Sequence, residues 1–179
     1  MVCETYSRSR NRNRLLVFIA LLAAQAVVLS LLEQGIPTPF TIVPGAKLGL
    51  ANIITCVALF KLPVRDTVLI IVTRLVLAGF LGGTLSTLLF SFAGAFLSFV
   101  GMYGVQQLGP KRVSVIGISI TGAVLHNSGQ LLMASYIAGT WNVLLLLPVL
   151  TTVGVLSGIA TGVVAHYLLQ SLNKIPLWE

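Results

Sequence analysis

Acidic residues are scarce in this chain. Of its 179 residues, four are Asp or Glu, against 11 Lys or Arg. The four acids, scattered along the sequence, are Glu4, Glu33, Asp66 and Glu179. Magnesium–diphosphate chemistry and most acid–base hydrolysis depend on paired or clustered carboxylates. The sequence therefore predicts a chain with no catalytic residues of its own and argues against most hydrolases and phosphoryl-transfer enzymes.

Charge of either sign is also scarce. Charged residues make up 8% of the chain and hydrophobic residues 56%, with a mean hydropathy of +1.00, whereas soluble domains carry roughly a quarter charged residues. A water-exposed surface cannot be built from this supply, so we expect an integral membrane protein in contact with the lipid bilayer. The net charge of +7 comes from basic residues scattered between apolar runs, which does not indicate nucleic-acid binding.

Metal-ligand and nucleotide-binding patterns are missing. Cys3 and Cys56 lie far apart, and neither His126 nor His166 has a neighbouring Cys or acid. These patterns predict no disulfide framework, no metal and no cofactor. The chain has no Gly-x-x-x-x-Gly-Lys-Ser/Thr phosphate loop, so any ATP hydrolysis must come from partner subunits.

Long apolar runs dominate what is present. A helix needs about 20 apolar residues to cross a bilayer, and fewer at the ends of a compact bundle. The runs that predict membrane spans are 15–32, 48–62, 67–81, 85–105, 113–138 and 143–169. We therefore expect an all-α protein with one six-helix transmembrane domain over 15–172, a basic tail over 1–14 and a second tail over 173–179.

The basic residues predict the orientation, because short cytoplasmic loops are enriched in Lys and Arg. Those that one alternating topology places inside are Arg8, Arg10, Arg12, Arg14, Lys61, Arg65, Lys111, Arg112 and Lys174. The predicted outer loops at 82–84 and 139–142 carry no charge. Both termini are therefore expected in the cytoplasm. Residues 24–26, Ala-Gln-Ala, could end a secretory signal, but the apolar run continues to residue 32 and favours an uncleaved helix.

Small residues four apart mark helix contacts in membranes. Gly154, Gly158 and Gly162 have this spacing in the sixth run, and Gly94 with Ser98 has it in the fourth. Both stripes are interpreted as packing within the bundle. Ala20 and Ala24 form a similar patch on the first run. Spacing alone leaves open whether this patch faces its own bundle or a helix of another subunit.

Polar residues inside the predicted spans are the candidates for a site. A charge near the bilayer centre costs several kcal/mol unless it is paired or hydrated. Arg74 is therefore either a structural partner of Glu33 or of a carbonyl, or the counter-ion of an anionic ligand, and the second interpretation is preferred. Helical spacing places His126 and Gln130 on one face with Asn127 beside them, which favours a cavity over a simple helix-to-helix hydrogen bond.

The longest connection, over 33–47, contains three prolines and is either a lid or an ordered outer loop. Its end and the start of the second span face the same outer region as the polar cluster on the fifth. The residues predicted to converge on an outward-open, substrate-binding cavity are Glu33, Lys47, Asn52, Arg74, His126, Asn127 and Gln130. The excess of positive charge there favours an anionic small molecule.

Two stretches and one residue carry a family resemblance: residues 44–52 (PGAKLGLAN), residues 122–131 (GAVLHNSGQL), and Arg74. With these, the chain resembles a bacterial membrane family called heptaprenyl diphosphate synthase component I, or the Gx transporter family. That family is similar in size and span number to the substrate-binding S components of energy-coupling factor transporters. The resemblance implies six helices around a small-molecule site near the outer face.

The resemblance also implies partners. In S components an Ala-x-x-x-Ala patch on the first helix meets a transmembrane coupling subunit, and Ala20 and Ala24 match that patch. The preferred hypothesis is a substrate-binding subunit of an ATP-driven uptake transporter, working with coupling and ATPase subunits. The alternative is a non-catalytic membrane component of heptaprenyl diphosphate synthesis. The family name conflicts with catalysis here, because prenyl diphosphate synthases use aspartate-rich motifs and this chain has one aspartate, Asp66.

The topology is tested by cysteine accessibility in intact cells, after Cys3 and Cys56 are replaced by Ala. We expect Trp141→Cys to react with an impermeant thiol reagent added outside, and Arg112→Cys to react only after the cells are opened, because basic loops stay inside. External labelling at position 112, or protection at 141 until lysis, would overturn the arrangement.

Overall fold

The computed structural model describes residues 2–35, 49–82, 84–109 and 112–174, and over these the chain is helical with no strand. The six α-helices are α1 (Val2–Gly35), α2 (Asn52–Lys61), α3 (Val64–Gly82), α4 (Leu85–Gln106), α5 (Val115–Ala138) and α6 (Leu147–Leu172), with a 3-10 turn over Trp141–Leu146 before α6. The expected all-α class is confirmed. Residues 2–14, expected as a tail, continue α1.

Three helical segments are long and apolar enough to cross a membrane: Asn13–Gly35, Leu85–Gln106 and Trp141–Leu172. Helix α3 is less apolar because it carries Arg65, Asp66 and Arg74. Helix α2 has ten residues, so it is about 15 Å long, half the thickness of a bilayer core. The expected second span is thus a half-length helix over the described residues. The six-span topology stays a prediction.

Local capping explains where several helices begin and end. The Thr84 hydroxyl accepts a hydrogen bond from Thr87 N ahead of α4, and the Ser114 hydroxyl accepts one from Gly117 N ahead of α5. Such caps satisfy N–H groups that the first helical turn leaves unpaired. At the other end of α5, Gly139 adopts φ +63°, a left-handed conformation that glycine adopts without steric cost and that commonly stops helices.

Helices α4, α5 and α6 pack closely through glycine. A Cβ added at Gly158 would lie 2.6 Å from Ile120 Cα, and one at Gly162 would lie 2.9 Å from Ile116 Cα. Gly154 faces Val124 in the same way, so this stripe on α6 packs against α5. Ser98 on α4 is 1% exposed. The small residues therefore let the backbones approach closely, as spacing predicted for packing inside the bundle.

The short helix α2 is surrounded by the other five helices of the bundle. Eight of its ten residues are buried, including Cys56, Val57 and Ala58 at 0–1% exposure. They form one apolar core with residues of α1, α3, α4, α5 and α6, among them Ala26 and Met102. A helix buried on all sides reads as a continuous apolar run, which is why the sequence suggested a span.

One end of the bundle collects the described basic residues outside the core. The Lys61 side chain at the end of α2 donates to Asn173 Oδ1 just after α6, and Gln106 Nε2 donates to Leu59 O at 3.1 Å. The helix directions place Arg14, Lys61, Arg65, Arg112 and Lys174 at this end, which we call the basic end. Gly35, Gly82 and Gly139 lie at the opposite end, called the far end. That the basic end faces the cytoplasm stays a prediction.

The close packing of α4 and α5 predicts a large effect from one methyl group. In Gly129→Ala, the new Cβ would lie 2.6 Å from the Ala93 carbonyl oxygen, and backbone cannot move aside cheaply. We expect a loss of about 1–3 kcal/mol in stability, measured as a lower midpoint of thermal unfolding in detergent. Gly104→Ala on the surface of α4 is the control, because an added Cβ there meets nothing within 4 Å. Equal midpoints for the two variants would contradict this packing.

Candidate functional site

A small polar cavity lies in the half of the bundle nearer the far end, between α1, α3, α4, α5 and the start of α2. Its volume is about 20 Å³, enough for about one water molecule. Its polar lining residues are Ser30, Glu33, Gln34, Asn52, Arg74, Thr87, Ser91 and His126. The structure therefore brings together side chains that are far apart in sequence.

Glu33, on the last turn of α1, is 5% exposed. Its Oε1 accepts hydrogen bonds from Gly49 N and, at 3.2 Å, from Leu50 N. These N–H groups immediately precede α2, where a carboxylate also interacts favourably with the positive end of the helix dipole. Gly49 has φ +80°, a backbone conformation that side chains other than glycine rarely adopt. Glu33 therefore fixes the start of α2 against the end of α1.

Arg74, on α3, is 4% exposed and borders the same cavity. The Glu33 carboxylate acts on it electrostatically, which supports the alternative that was not preferred, a structural pairing with Glu33. A guanidinium has five N–H donors, while a carboxylate has about four lone pairs. Two hydrogen bonds from the α2 start already use Glu33. Glu33 alone therefore cannot accept from every N–H group of the guanidinium, which borders the cavity.

Asn52, the first residue of α2, adds an amide to the cavity. It is 2% exposed, and within the described part of the chain its Nδ2 has no hydrogen-bond partner. A buried donor left without a partner costs about 1–3 kcal/mol. A Cβ at Gly49 would lie 3.1 Å from Nδ2, so the glycine also leaves space for this amide. Asn52 is therefore poised to donate to a molecule in the cavity.

The three polar residues predicted on α5, His126, Asn127 and Gln130, do not all line the cavity. His126, 4% exposed, lines the cavity. Asn127 does not: its Nδ2 donates to Leu150 O on α6 at 2.9 Å, because one residue along a helix is a turn of about 100°. Gln130 is buried beside Gly94, where an added Cβ would lie 2.9 Å from Gln130 Cγ, and is not among the lining residues. The prediction that all three share the cavity is corrected to His126 alone.

Two further predicted features lie outside the described residues. Lys47 and most of the expected lid over 33–47 fall in the range 36–48, so neither is placed. Sequence reasoning also missed Thr87 and Ser91 of α4, although both line the cavity. Ser91 Oγ donates to Thr87 O at 2.7 Å. Serine and threonine commonly donate to a carbonyl of their own helix, so their presence in an apolar run does not by itself indicate a site.

The patch on α1 faces away from the cavity. Ala20 and Ala24 are exposed, whereas Ala23, Ala26 and Val27 of the same helix are buried. Of the two interpretations left open by spacing, the structure therefore does not place this patch against its own bundle. It is a smooth surface of small side chains on the outside of α1.

Among the described residues, the cavity lining presents more hydrogen-bond donors than acceptors with a negative charge. Among its described lining residues Glu33 supplies the one carboxylate, and it is engaged by the backbone and by Arg74. The described residues contain no group of three or more His, Cys, Asp or Glu that could hold a metal. The other groups at the cavity include the Arg74 guanidinium and the Asn52 amide, which donate, and the His126 imidazole, whose role depends on its tautomer.

Comparison with known proteins gives one match. The family model described as heptaprenyl diphosphate synthase component I matches residues 22–168, which include every described residue of the cavity. No curated protein and no solved structure matches the chain, so the similarity to transporter S components stays a prediction. A match over most of the chain shows the family: the protein belongs to the heptaprenyl diphosphate synthase component I family.

Proposed function

We propose that this chain is the non-catalytic membrane component of heptaprenyl diphosphate synthesis, and that its buried cavity binds an anionic group. Family membership supports the first part. The second part depends on one observation: Arg74, 4% exposed, borders a polar cavity, and the acid that acts on it among the described residues, Glu33, also accepts from backbone. The catalytic groups then belong to a partner subunit, as the word component implies.

The chemistry of the lining favours an anion over a cation. Glu33 directs its acceptors at Gly49 N and Leu50 N, while Arg74 and the Asn52 amide present donors. Phosphate and carboxylate oxygens accept charge-assisted hydrogen bonds from such groups, and arginine is suited to bind two oxygens at once. The ligand we infer therefore carries a phosphate, diphosphate or carboxylate group.

The cavity must enlarge to admit such a ligand, since its volume of about 20 Å³ matches one water molecule. The contact most directly affected is that between Glu33 and Arg74, because an incoming anion competes with Glu33 for the guanidinium.

A second candidate function is favoured by the exposed patch of Ala20 and Ala24. Small side chains on a lipid-facing surface allow another helix to approach closely. A substrate-binding subunit of an ATP-driven uptake transporter would use this patch to meet a transmembrane coupling subunit. Mild detergent extraction of the tagged chain separates the two roles. A soluble prenyltransferase among the co-purified proteins supports the synthase component, whereas coupling and ATPase subunits support the transporter.

The anion site predicts that Arg74→Gln lowers the affinity for inorganic diphosphate at least about tenfold, because hydrogen bonds to charged groups contribute about 1.5–3 kcal/mol. Calorimetric titration of the detergent-solubilised protein measures this. Arg112→Gln at the basic end is the control for the loss of one positive charge. Unchanged affinity in a folded Arg74→Gln protein would remove the proposed site.

Measurements of the unfolding midpoint distinguish a purely structural role of Arg74 from a role in ligand binding. Removing one partner of a buried ion pair costs about 3–5 kcal/mol, and removing both charges is much milder. If the pair is only structural, the double variant Glu33→Gln with Arg74→Gln recovers the unfolding midpoint and no variant changes diphosphate binding. The proposal expects binding to stay lost in the double variant even where the midpoint recovers.

The patch on α1 predicts an effect on assembly. Ala24→Leu adds bulk where a partner helix would pack, so we expect fewer partner subunits to co-purify while diphosphate affinity stays the same. Leu32→Ala, which also alters an exposed position of α1, is the control. Full recovery of partners with Ala24→Leu would show that this patch faces only lipid.

A further inference from the structure

A second, larger cavity lies on the opposite half of the molecule from Arg74. It is an apolar groove of about 290 Å³ between α1 and α6, and α2 forms its floor. Its walls are Phe18, Leu21 and Leu22 of α1 and Leu168 and Leu172 of α6. The groove is more than ten times as large as the polar cavity and shares no lining residue with it.

We propose that this groove binds the first isoprene units of a polyprenyl diphosphate, with the diphosphate held by Arg14, Lys61 and Lys174 at its mouth. This inference rests on the proposed function, because the family name selects a prenyl diphosphate among anionic amphiphiles. The structure supplies the rest: an apolar groove with basic residues one helical turn or less beyond its lining at the basic end.

Helical spacing places the cations at that mouth. Arg14 precedes Phe18 by one turn on α1, and Lys61 follows Val57 by one turn on α2. Residues four apart share a helix face, so both continue the stripes that line the groove. Lys174 follows the groove residue Leu172 just after α6 ends. Three positive charges therefore surround the entrance.

Lys61 is also held in place. Its Nζ donates to Asn173 Oδ1, which ties the end of α2 to the end of α6 beside the groove. An ammonium has three donors, so this contact leaves two for phosphate oxygens. A lysine that is already positioned loses less side-chain freedom when a ligand binds. The site is thus partly organised before the ligand arrives.

The length of the groove limits what it holds. From Phe18 to Gln25 along α1 is about 10 Å at 1.5 Å per residue. Gln25, a polar side chain, lies at the inner limit of the apolar lining. Only the isoprene units next to the diphosphate fit, and the rest of the chain extends into lipid. The site therefore recognises the headgroup and the start of the chain, whatever the total chain length.

This groove is separate from the exposed alanine patch. Neither Ala20 nor Ala24 is among the groove residues, although the groove residue Leu21 lies three residues before Ala24. Substitutions at the two alanines therefore leave the groove residues themselves unchanged.

The test measures binding of geranylgeranyl diphosphate to the full-length protein in detergent by thermophoresis. Leu21→Trp and Leu168→Trp each fill the groove from one wall, and we expect each to weaken binding about tenfold or more as the chain loses its apolar contacts. Leu16→Trp is the matched control, since Leu16 and Leu21 on the same helix are 56% and 57% exposed. It should leave affinity within about twofold.

The headgroup is tested separately. We expect Lys61→Gln to weaken geranylgeranyl diphosphate binding while binding of geranylgeraniol, which lacks the diphosphate, stays unchanged. Arg112→Gln, another basic residue of the same end, should alter neither. Equal effects of Leu21→Trp and Leu16→Trp in folded protein, or phosphatidic acid bound as tightly as the prenyl diphosphate, would overturn the proposal in favour of an ordinary lipid contact.

The outcomes also separate this inference from the polar cavity. Arg74→Gln should leave geranylgeranyl diphosphate binding intact. Inorganic diphosphate can also meet the basic residues beside the groove, so its binding is compared in a Lys61→Gln background, where adding Arg74→Gln should weaken it at least about tenfold. Unchanged inorganic diphosphate binding in that comparison contradicts the cavity alone. Equal geranylgeranyl diphosphate affinity in the groove variants and in their controls contradicts the groove alone.

Discussion

The carboxylate of Glu33 joins three helices, because it interacts both with the guanidinium of Arg74 and with backbone N–H groups ahead of α2. Its Oε1 accepts from Gly49 N and Leu50 N while its charge acts on Arg74. Buried charges are costly unless they are paired and hydrogen-bonded. Here one acid meets both needs: it compensates a buried cation and satisfies two N–H groups ahead of α2. The end of α1, the start of α2 and the middle of α3 are thereby fixed together.

The opposite wall of the cavity is held by a different force. Helices α4, α5 and α6 meet through glycine at positions where an added Cβ would lie under 3 Å from backbone, as at Gly129 and Gly158. Packing of this kind gains dispersion contacts and leaves no room for adjustment. Gly94 in the same wall leaves space for His126 and Gln130. The cavity thus lies between a close-packed wall and a half of the bundle fixed by a shared charge.

The amino-acid pattern was sufficient to predict the helices, the glycine interfaces and the grouping of basic residues at one end, because these follow from apolar run length and residue spacing. It was also sufficient to select Arg74, since a charge in an apolar run is costly wherever it lies. It could not show that Asn127 turns toward Leu150, because neighbouring positions on a helix differ by rotation and the rotation of α5 is set by its partners. Nor could it show that the run at 48–62 is a ten-residue helix, because complete burial and lipid exposure select the same side chains.

The short length of α2 has a consequence for communication across the molecule. One end of this helix supplies Asn52 to the polar cavity, and its middle supplies Ile54 and Val57 to the floor of the apolar groove. Because α2 lines both cavities, a displacement along its axis would change the volume of each. By thermodynamic linkage, if filling one compartment displaced α2, the occupant of the other would alter the first affinity by the same factor. Occupancy of the two cavities would then be coupled through the position of α2.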